Sequence, residues 1–297
     1  MSEQLGLGVL GFGTASYEIT KGLHSEGVAD IRVWKREPWS DEVQARANDA
    51  GVILCSEASE VTAASNIIVS LVAPTAAPDV GRQACSGIAG KFYLDLNAAS
   101  LKTKEAAAAV IQRAGGRFID GAIMGPLKRQ RHQVSTVISG EGAEELAGVL
   151  QGRGMDVRAI GTKVGLASTV KMIRSVYTKG LEAIVVEFMV AAHRYGATEQ
   201  VFDSLEEILE LGPFLLPFRQ MVSELVLEQV EFAGRRATEM EQVVLTMEEL
   251  GVDPLMARGT LQRLRWVADE IKLRDRFEGR TPSNYWEVLD AIESAAK

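Results

Sequence analysis

The feature that most constrains this chain is a glycine-rich turn near its start, Gly11–Ser16 (GFGTAS). An apolar run at Leu5–Leu10 precedes the turn and a helical pattern at Ala15–His24 follows it, so the turn joins a strand to a helix. In such a turn the first glycine makes the bend, and the second lets the backbone approach a pyrophosphate that rests on the helix N-terminus. The pattern therefore predicts a dinucleotide-binding unit, with contacts from Gly11, Phe12, Gly13, Thr14 and Ala15.

A second register and an unliganded turn are the alternatives. Gly6, Gly8 and Gly11 also match GxGxxG, but that register would put the turn inside the first apolar run and leave almost no strand before it. In the favoured register Ser16 replaces the third glycine and still provides a small side chain for packing between helix and strand. A tight turn that binds no ligand is the other interpretation of the same residues.

The first half of the chain alternates short apolar runs with helical patterns, which is typical of parallel strands joined by crossover helices. The clearest helical pattern is the alanine-rich Thr103–Ala114, which starts after Ser100 and stops at a Gly-Gly pair, and another is Asp41–Ala50. We predict an α/β fold, a Rossmann-type doubly wound parallel sheet, over residues 1–162. Its strand candidates are Leu5–Leu10, Ile31–Trp34, Val52–Cys55, Ile67–Val72, Phe92–Leu96, Phe118–Asp120 and, as a candidate to close the sheet, Ser135–Ile138.

The pattern changes near Gly161–Gly165, after which no strand candidate is convincing. A very long helix is predicted over Leu166–Tyr195, and residues 163–297 are predicted to form an all-helical substrate and dimerisation domain. Asp253 is a predicted N-cap, because proline follows it at the first helical position. The remaining helix candidates are Thr198–Leu211, Phe218–Phe232, Arg235–Leu250, Pro254–Leu273 and Ser283–Ala295.

The long helix is apolar almost all round. Its apolar residues include Val185, Val186, Phe188 and Met189. Such a helix can lie in a domain core, but the other helices are few for so much apolar surface. We therefore expect a homodimer formed through the helical domain.

The residues after the second strand indicate which dinucleotide is bound. An NAD enzyme carries an acidic residue there, which binds the ribose 2′-hydroxyl. This chain has Lys35 at the expected place and Arg36 next to it, and two cations would attract a 2′-phosphate. The sequence thus favours NADP(H) over NAD(H); the alternative is a solvated basic pair with Glu37 bound to the ribose. Backbone contacts to the cofactor are also expected at the carboxyl end of the fourth strand, from Val72, Ala73 and Pro74.

Composition excludes several classes of function. The net charge of −8 argues against a nucleic-acid-binding surface. Two cysteines, interpreted as buried reduced thiols, and three histidines show no metal-ligand spacing, so no metal is expected. No apolar stretch reaches the roughly 18 residues of a membrane span, and no signal-peptide pattern precedes the first strand. We expect a cytoplasmic protein, with the basic run Lys128–His132 in a loop that could attract a small anionic substrate.

Four motifs and the helical tail together resemble the β-hydroxyacid dehydrogenase superfamily, the relatives of 6-phosphogluconate and 3-hydroxyisobutyrate dehydrogenases. The resemblance covers nearly the whole chain. Within it, the chain is similar to a subgroup that has a C-terminal domain of unknown function beside the NAD-binding domain. The motifs are Gly11–Gly13, Asp95–Ser100, Phe118–Pro126 and Gly165–Lys171, and the stretch Lys171–Glu182 continues the last of them.

The resemblance implies a set of site residues. The family's catalytic lysine falls on Lys171. Many members have asparagine four residues later, where this chain has Ser175, so a substrate-orienting amide and any particular family substrate do not carry over. The other implied positions are Asn97 for catalysis and cofactor contact, Ser175 for catalysis, and Ala98, Ser100, Met124, Gly125 and Pro126 for substrate binding. Arg174, the cation nearest Lys171 on the helix, is predicted from its spacing to bind substrate as well.

The chemistry expected of Lys171 also follows from physical principles. Hydride transfer to a carbonyl builds negative charge on oxygen, which a nearby ammonium can stabilise and protonate. On a helix Lys171, Arg174 and Ser175 share one polar face, which suits the lining of a cleft. From spacing alone, however, a helical lysine is usually just solvated.

Three functions fit these observations. The leading one is an NADPH-dependent dehydrogenase or reductase acting on a small hydroxy or oxo acid. The same fold and cofactor would also serve an imine reductase, or an enzyme that couples oxidation to isomerisation or decarboxylation. A function of another class is a non-catalytic NADPH-binding regulator, which the altered position at Ser175 leaves open.

Overall fold

A computed structural model describes residues 6–36, 38–210 and 212–295. The chain forms two compact units, Met1–Val176 and Tyr177–Lys297. The boundary between the two units lies inside the long helix Leu166–Tyr195. The boundary predicted from the sequence, between residues 162 and 163, lies just before that helix begins.

The first unit is built on one eight-stranded sheet in the order β3-β2-β1-β4-β5-β6-β7-β8. Every neighbouring pair is parallel except β6 and β7, which are antiparallel. The predicted Rossmann-type doubly wound fold is confirmed. The strands are β1 Leu7–Leu10, β2 Arg32–Trp34, β3 Ile53–Cys55, β4 Ile67–Ser70, β5 Phe92–Asp95, β6 Arg117–Ile123, β7 Thr136–Ser139 and β8 Val157–Ala159.

The sequence did not predict β8, and the sheet therefore does not close at β7. The strand has only three residues, which is too few for an alternation of apolar and polar side chains to be recognised in the sequence. The helices of this unit are α1 Thr14–Ser25, α2 Asp41–Asp49, α3 Ala58–Ala64, α4 Ala77–Ala84, α5 Leu101–Arg113, α6 Leu127–Gln130, α7 Ala143–Gln151 and α8 Leu166–Tyr195, which from Tyr177 onward belongs to the other unit. Of these, α3, α4, α6 and α7 were not predicted from the sequence.

Two apolar clusters pack on the two faces of the sheet. Val9 on β1 belongs to one cluster and its neighbour Leu10 to the other, because successive side chains of a strand point to opposite faces. Leu94 and Tyr93 on β5 divide in the same way. Helices cover both faces, which places the carboxyl ends of the parallel strands at a single open edge.

The second unit is helical. Its helices are the end of α8, then α9 Thr198–Glu210, α10 Phe218–Leu227, α11 Gln229–Glu249, α12 Leu255–Arg265, α13 Leu273–Arg276 and α14 Tyr285–Ala295, with a π-helical turn at Trp266–Glu270. The sequence predicted one helix over Phe218–Phe232, but α10 ends at Leu227 and a second helix, α11, begins at Gln229. The predicted final residue of α9, Leu211, lies outside the described residues, as does the first residue of the first strand candidate, Leu5.

The predicted N-cap of α12 is wrong. The carboxylate of Asp253 pairs with Arg258 at 2.8 Å instead of capping the helix. The first free N–H groups, those of Met256 and Ala257, donate to the two carboxylate oxygens of Glu187 at 2.7 and 2.9 Å. An acid distant in sequence therefore supplies the negative charge that a helix N-terminus favours.

Within the described residues, no helix has the length and hydropathy needed to cross a membrane.

Candidate functional site

The glycine turn lies between β1 and α1, as predicted. Gly11 has φ +98°, and a β-carbon there would collide with the carbonyl oxygen of Leu71, so only glycine fits. A β-carbon at Gly13 would meet nothing within 4 Å. No side chain in the described part of the chain caps α1, whose first residues are Thr14 and Ala15. The turn thus presents a helix N-terminus to open space, as an anion-binding site requires.

The predicted phosphate-binding cations follow β2 directly. The N–H of Gly11 donates to the carbonyl of Trp34 at 2.8 Å, so the end of β2 lies beside the turn. Lys35 is half-buried and its carbonyl accepts a hydrogen bond from the indole of Trp39, while Arg36 is exposed. The alternative ribose ligand, Glu37, lies outside the described residues.

Arg46 on α2 is a third cation at the turn, and sequence reasoning missed it. Its Nη2 donates to the carbonyl of Gly13 at 3.1 Å. The guanidinium lies 4.7 Å from the ring centre of Tyr17 and 5.6 Å from that of Phe12. Stacking of this kind holds a guanidinium in place while leaving donors for a phosphate. No motif marks Arg46, because its contact depends on how α2 packs.

Asn97 joins the carboxyl ends of β4 and β5. Its Oδ1 accepts from the N–H of Val72 at 2.7 Å, and its Nδ2 donates to the hydroxyl of Ser70 at 3.0 Å. The side chain is 3% exposed, so these contacts within the fold occupy its amide. They bring the predicted cofactor contacts Val72, Ala73 and Pro74 to the loop after β5. The catalytic and cofactor roles of Asn97 stay predictions.

The loop after β5 leads to the start of α8. Ala98 and Ser100 are exposed, and the Ser100 hydroxyl caps α5 by accepting from the N–H of Thr103. A β-carbon at Gly165, φ +84°, would collide with the side chain of Leu101. This close packing places the residue before α8 against the first turn of α5, and thus beside two predicted substrate-binding residues.

The glycine-rich segment after β6 also contacts α8. Arg174 donates through Nη1 to the carbonyl of Met124 at 3.1 Å. Gly125 packs against Gln130, where a larger residue would clash, and Pro126 precedes α6. The structure therefore joins three of the predicted substrate residues, Met124, Gly125 and Pro126, to the helix that carries Arg174.

Lys171 lies in the second turn of α8 and is half-buried. Ser175, one turn later, donates its hydroxyl to the carbonyl of Lys171 at 2.9 Å. This bond turns the Ser175 hydroxyl back toward the preceding turn of the helix, where it contacts the backbone of Lys171. The predicted catalytic roles of both residues stay predictions.

The basic run was predicted as a loop, and this is wrong. Lys128 and Arg129 lie in α6, and Arg131–Gln133 forms a 3₁₀ turn packed on α1. His132 is buried, with 4% of its surface exposed, and its ring packs against Gly22 and Gly154. The lysine and arginine side chains of the run are exposed to an approaching anion, whereas that of His132 is not.

Other candidate sites are few. Among the described residues, no three His, Cys, Asp or Glu side chains cluster as metal ligands would. Both cysteines are free thiols: Cys55 is buried, which raises its pKa, and Cys85 is half-buried instead of fully buried as predicted.

The turn, the sheet order and the helical second unit define a class of protein with a Rossmann-type dinucleotide fold and an all-helical C-terminal domain. An imine reductase from Myxococcus stipitatus, solved in complex with NADP+, has this fold: it is 17% identical, covers 96% of this chain and 98% of its own, and has a TM-score of 0.71. At that identity the likeness concerns the fold alone.

More similar proteins identify the family. Residues 192–267 match the model described as Domain of unknown function (DUF1932). An uncharacterized 28.5 kDa protein of Methanothermus fervidus is 32% identical over 68% of this chain and 76% of its own length. A conserved protein of unknown function, with structural similarity to 3-hydroxyacid dehydrogenases, is 30% identical over 93% of this chain and 100% of its own, with a TM-score of 0.60. The chain belongs to the β-hydroxyacid dehydrogenase-like superfamily with a helical C-terminal domain.

Proposed function

We propose that this protein is an NADPH-dependent oxidoreductase that transfers hydride between NADP(H) and a small hydroxy or oxo acid. The observation that carries the proposal is the open, uncapped N-terminus of α1 behind Gly13. A structural turn alone would need no space at this position, whereas a bound pyrophosphate would fill it. Membership of a superfamily similar to 3-hydroxyacid dehydrogenases supports the same reaction class.

The preference for NADP(H) over NAD(H) rests on three cations near the turn. Lys35 and Arg36 follow β2, where the ribose 2′-substituent of the cofactor is bound in this fold. Arg46 reaches the turn from α2. Guanidinium groups bind phosphate oxygens through paired donors, so a 2′-phosphate gains contacts that a 2′-hydroxyl cannot make.

In the proposed mechanism the cofactor supplies or accepts the hydride. Lys171 donates a proton to the carbonyl oxygen during reduction and takes the hydroxyl proton during oxidation. The backbone around Ser100 and Gly125 holds the substrate, and Arg174, anchored on Met124, attracts its carboxylate. Together these contacts would hold the Lys171 ammonium, the general acid, next to the substrate's carbonyl oxygen, which is the atom whose charge changes during hydride transfer.

A titration of the purified protein with NADPH and NADH, followed by quenching of tryptophan fluorescence, tests the proposal first. We expect NADPH to bind more tightly. Replacing Lys35 and Arg36 together by alanine should weaken NADPH binding about thirtyfold, since two charge-assisted contacts of about 1 kcal/mol each contribute about 2 kcal/mol, and should leave NADH binding nearly unchanged. The matched control is the double replacement of Lys128 and Arg129, a second Lys-Arg pair, which is exposed and lies on α6. Binding of neither nucleotide to the unaltered protein would refute the proposal.

An imine reductase is the second candidate, because an NADP+-bound imine reductase shares the fold over almost the whole chain. Assays of cyclic imines beside 2- and 3-oxo acids distinguish the two. A product with a rearranged or shortened carbon skeleton would instead indicate coupled isomerisation or decarboxylation. Tight NADPH binding without turnover on any of these substrates would favour a regulator.

We also propose that the protein works as a cytoplasmic homodimer formed through its helical domain. In the second unit, α8 leaves large apolar side chains exposed, among them Leu181 and Val186. An apolar surface of this extent is typical of an interface, and a second copy supplies a self-complementary partner. A reducing compartment suits the two free thiols.

A further inference from the structure

A buried ion network lies between β5, β6 and α5, outside the motifs that suggested the function. Lys104 on α5 has no exposed surface, and its Nζ lies 2.8 Å from Asp95 Oδ1 and 3.0 Å from Asp120 Oδ1. The two aspartates are direct neighbours across β5 and β6. Like charges in such a pair repel each other, and the ammonium between them offsets the repulsion.

Asp120 also contacts the start of α8. Its Oδ2 accepts from the N–H of Ser168 at 2.8 Å, and its Oδ1 from the hydroxyl of the same serine at 2.5 Å. The N–H of Ala167 donates to the hydroxyl of Ser139, the register partner of Asp120 on β7, at 3.0 Å. The first N–H groups of a helix have no partner within the helix. Here two strands of the sheet supply those partners, and one of them is a carboxylate at the positive end of the helix.

These bonds determine where Lys171 lies. They hold two consecutive residues of α8 to two neighbouring strands, which fixes the helix both along its axis and in rotation. Lys171 is three residues beyond Ser168, about 4.5 Å along the helix and on the same face. A helix that slipped or frayed at its start would carry the lysine with it.

The network also holds the loop after β5. Asp95 Oδ1 accepts from the N–H of Asn97 at 2.9 Å, and the backbone carbonyl of Asp95 accepts from Lys104 at 2.7 Å. A single buried ammonium therefore connects the predicted substrate loop to the strand that anchors α8. The spacing of Lys104 in the sequence indicates such a buried lysine, because it shares the buried face of α5 with Ala107, Ala108 and Ile111. A lysine on a buried face needs partners for its charge.

We propose that Asp120 and Lys104 are positioning residues that set the reach of the Lys171 amine by holding the first turn of α8 on the sheet. The inference rests on the role proposed above for Lys171. Neither residue touches the reacting atoms. Asp120 acts through Ser168, and Lys104 acts by holding the Asp120 carboxylate in place.

Asp95 provides a matched comparison. It bonds the same lysine from the strand directly opposite, but its Oδ1 accepts from the N–H of Asn97, whereas that of Asp120 accepts from the hydroxyl of Ser168. Asp95→Asn and Asp120→Asn therefore remove the same charge from the same network. Only Asp120→Asn replaces an oxygen that holds Ser168 with an NH2 group, which leaves a buried donor unsatisfied.

The experiment compares full-length Asp120→Asn, Asp95→Asn and Ser168→Ala with the unaltered protein. Acetylation of Lys171 by acetic anhydride is measured by mass spectrometry relative to the exposed Lys272, together with hydrogen exchange over residues 166–171 and the melting temperature. In Asp120→Asn and Ser168→Ala we expect both the relative acetylation of Lys171 and the exchange at α8 to rise about tenfold, through opening of the first turn. In Asp95→Asn both should stay close to the unaltered values even if the melting temperature falls.

Equal changes in the two aspartate variants, or a lower melting temperature with unchanged acetylation of Lys171, would overturn the proposal and leave a network that only stabilises the fold. If Asp120→Asn does not fold, Ser168→Ala decides, because it keeps every charge and removes one bond to α8. A parallel NADPH titration separates this test from the proposed function. Failure of the unaltered protein to bind NADPH would count against the proposed function. The acetylation comparison would still test whether Asp120 holds the first turn of α8 on the sheet.

Discussion

The two units of the chain bury their apolar side chains to different extents. In the first unit the strands divide theirs between two clusters, and helices cover both. The second unit has a core of its own between α11, α12 and α14, yet Leu181, Leu215 and Trp286 are 49%, 70% and 60% exposed. The sheet unit thus buries its strands' apolar side chains within one chain, whereas the helical unit leaves large apolar side chains exposed.

This difference has a physical origin. A sheet covered on both faces buries near-continuous apolar strands, and its polar groups are left at one edge, where the candidate site lies. A helix apolar on nearly all sides needs neighbours on every side, and α8 still has exposed apolar side chains such as Leu181 and Val186. Changes in the first unit should therefore affect ligand binding and chemistry, and changes in the second should affect assembly.

The largest effect is expected from Lys171→Ala. Loss of a positioned general acid should lower kcat by about a thousandfold, within the range of such catalysis, while the dissociation constant for NADPH changes little. Steady-state kinetics with the best oxo acid or imine from the substrate screen measure this. Lys163→Ala, an exposed lysine just before α8, is the control. Near-normal turnover in Lys171→Ala would remove the lysine from the mechanism.

Gly13→Ala should weaken NADPH binding about tenfold or more, because the methyl group occupies the space left for the pyrophosphate. The melting temperature should not fall, since nothing in the described structure lies within 4 Å of that methyl. Gly148→Ala, another glycine with open space around it, is the matched control. Unchanged affinity in Gly13→Ala would mean that the turn is structural only.

Val186→Glu tests the comparison directly. A charge on this exposed apolar face of α8 should convert a dimer into a 32.2 kDa monomer in sedimentation velocity. Ile53→Glu changes an exposed apolar side chain in the first unit, 42% exposed against 63% for Val186, and should leave the mass unchanged. A monomeric unaltered protein, or dissociation by Ile53→Glu alone, would contradict the division of roles between the units.

The smallest effect concerns pH. Burial lowers the pKa of His132 from its ordinary 6.5, and Arg131 lowers it further, while Glu26, 3.9 Å away, acts in the opposite direction. The unfolded chain then binds a proton that the folded chain does not, so stability falls as pH drops through 6.5 and stops falling below the folded pKa. The melting temperature of His132→Leu should decline less between pH 7 and pH 5. His193→Leu, an exposed histidine, is the control, and parallel curves for all three proteins would exclude this role.

Much of the architecture could be predicted because it is local. The strand, turn and helix around Gly11–Ser16 are read from neighbouring residues, and the start of α5 at Ser100 is marked by a capping side chain. The run of apolar residues that forms α8 gave that helix its correct bounds. Periodicity failed where elements are short, as in β8, or where one helical pattern covers a break, as between α10 and α11.

By itself, then, the sequence determined the fold class, the glycine turn between β1 and α1, and the residues that resemble a family site. Only the tertiary structure decided which side chains meet: Arg46 with Gly13, Asn97 with Val72, and Lys104 with Asp120. These partners come from different elements, and their contacts depend on strand order and helix packing. Local propensity acts over a few residues, whereas a buried charge finds its partner only when the sheet has brought distant segments together.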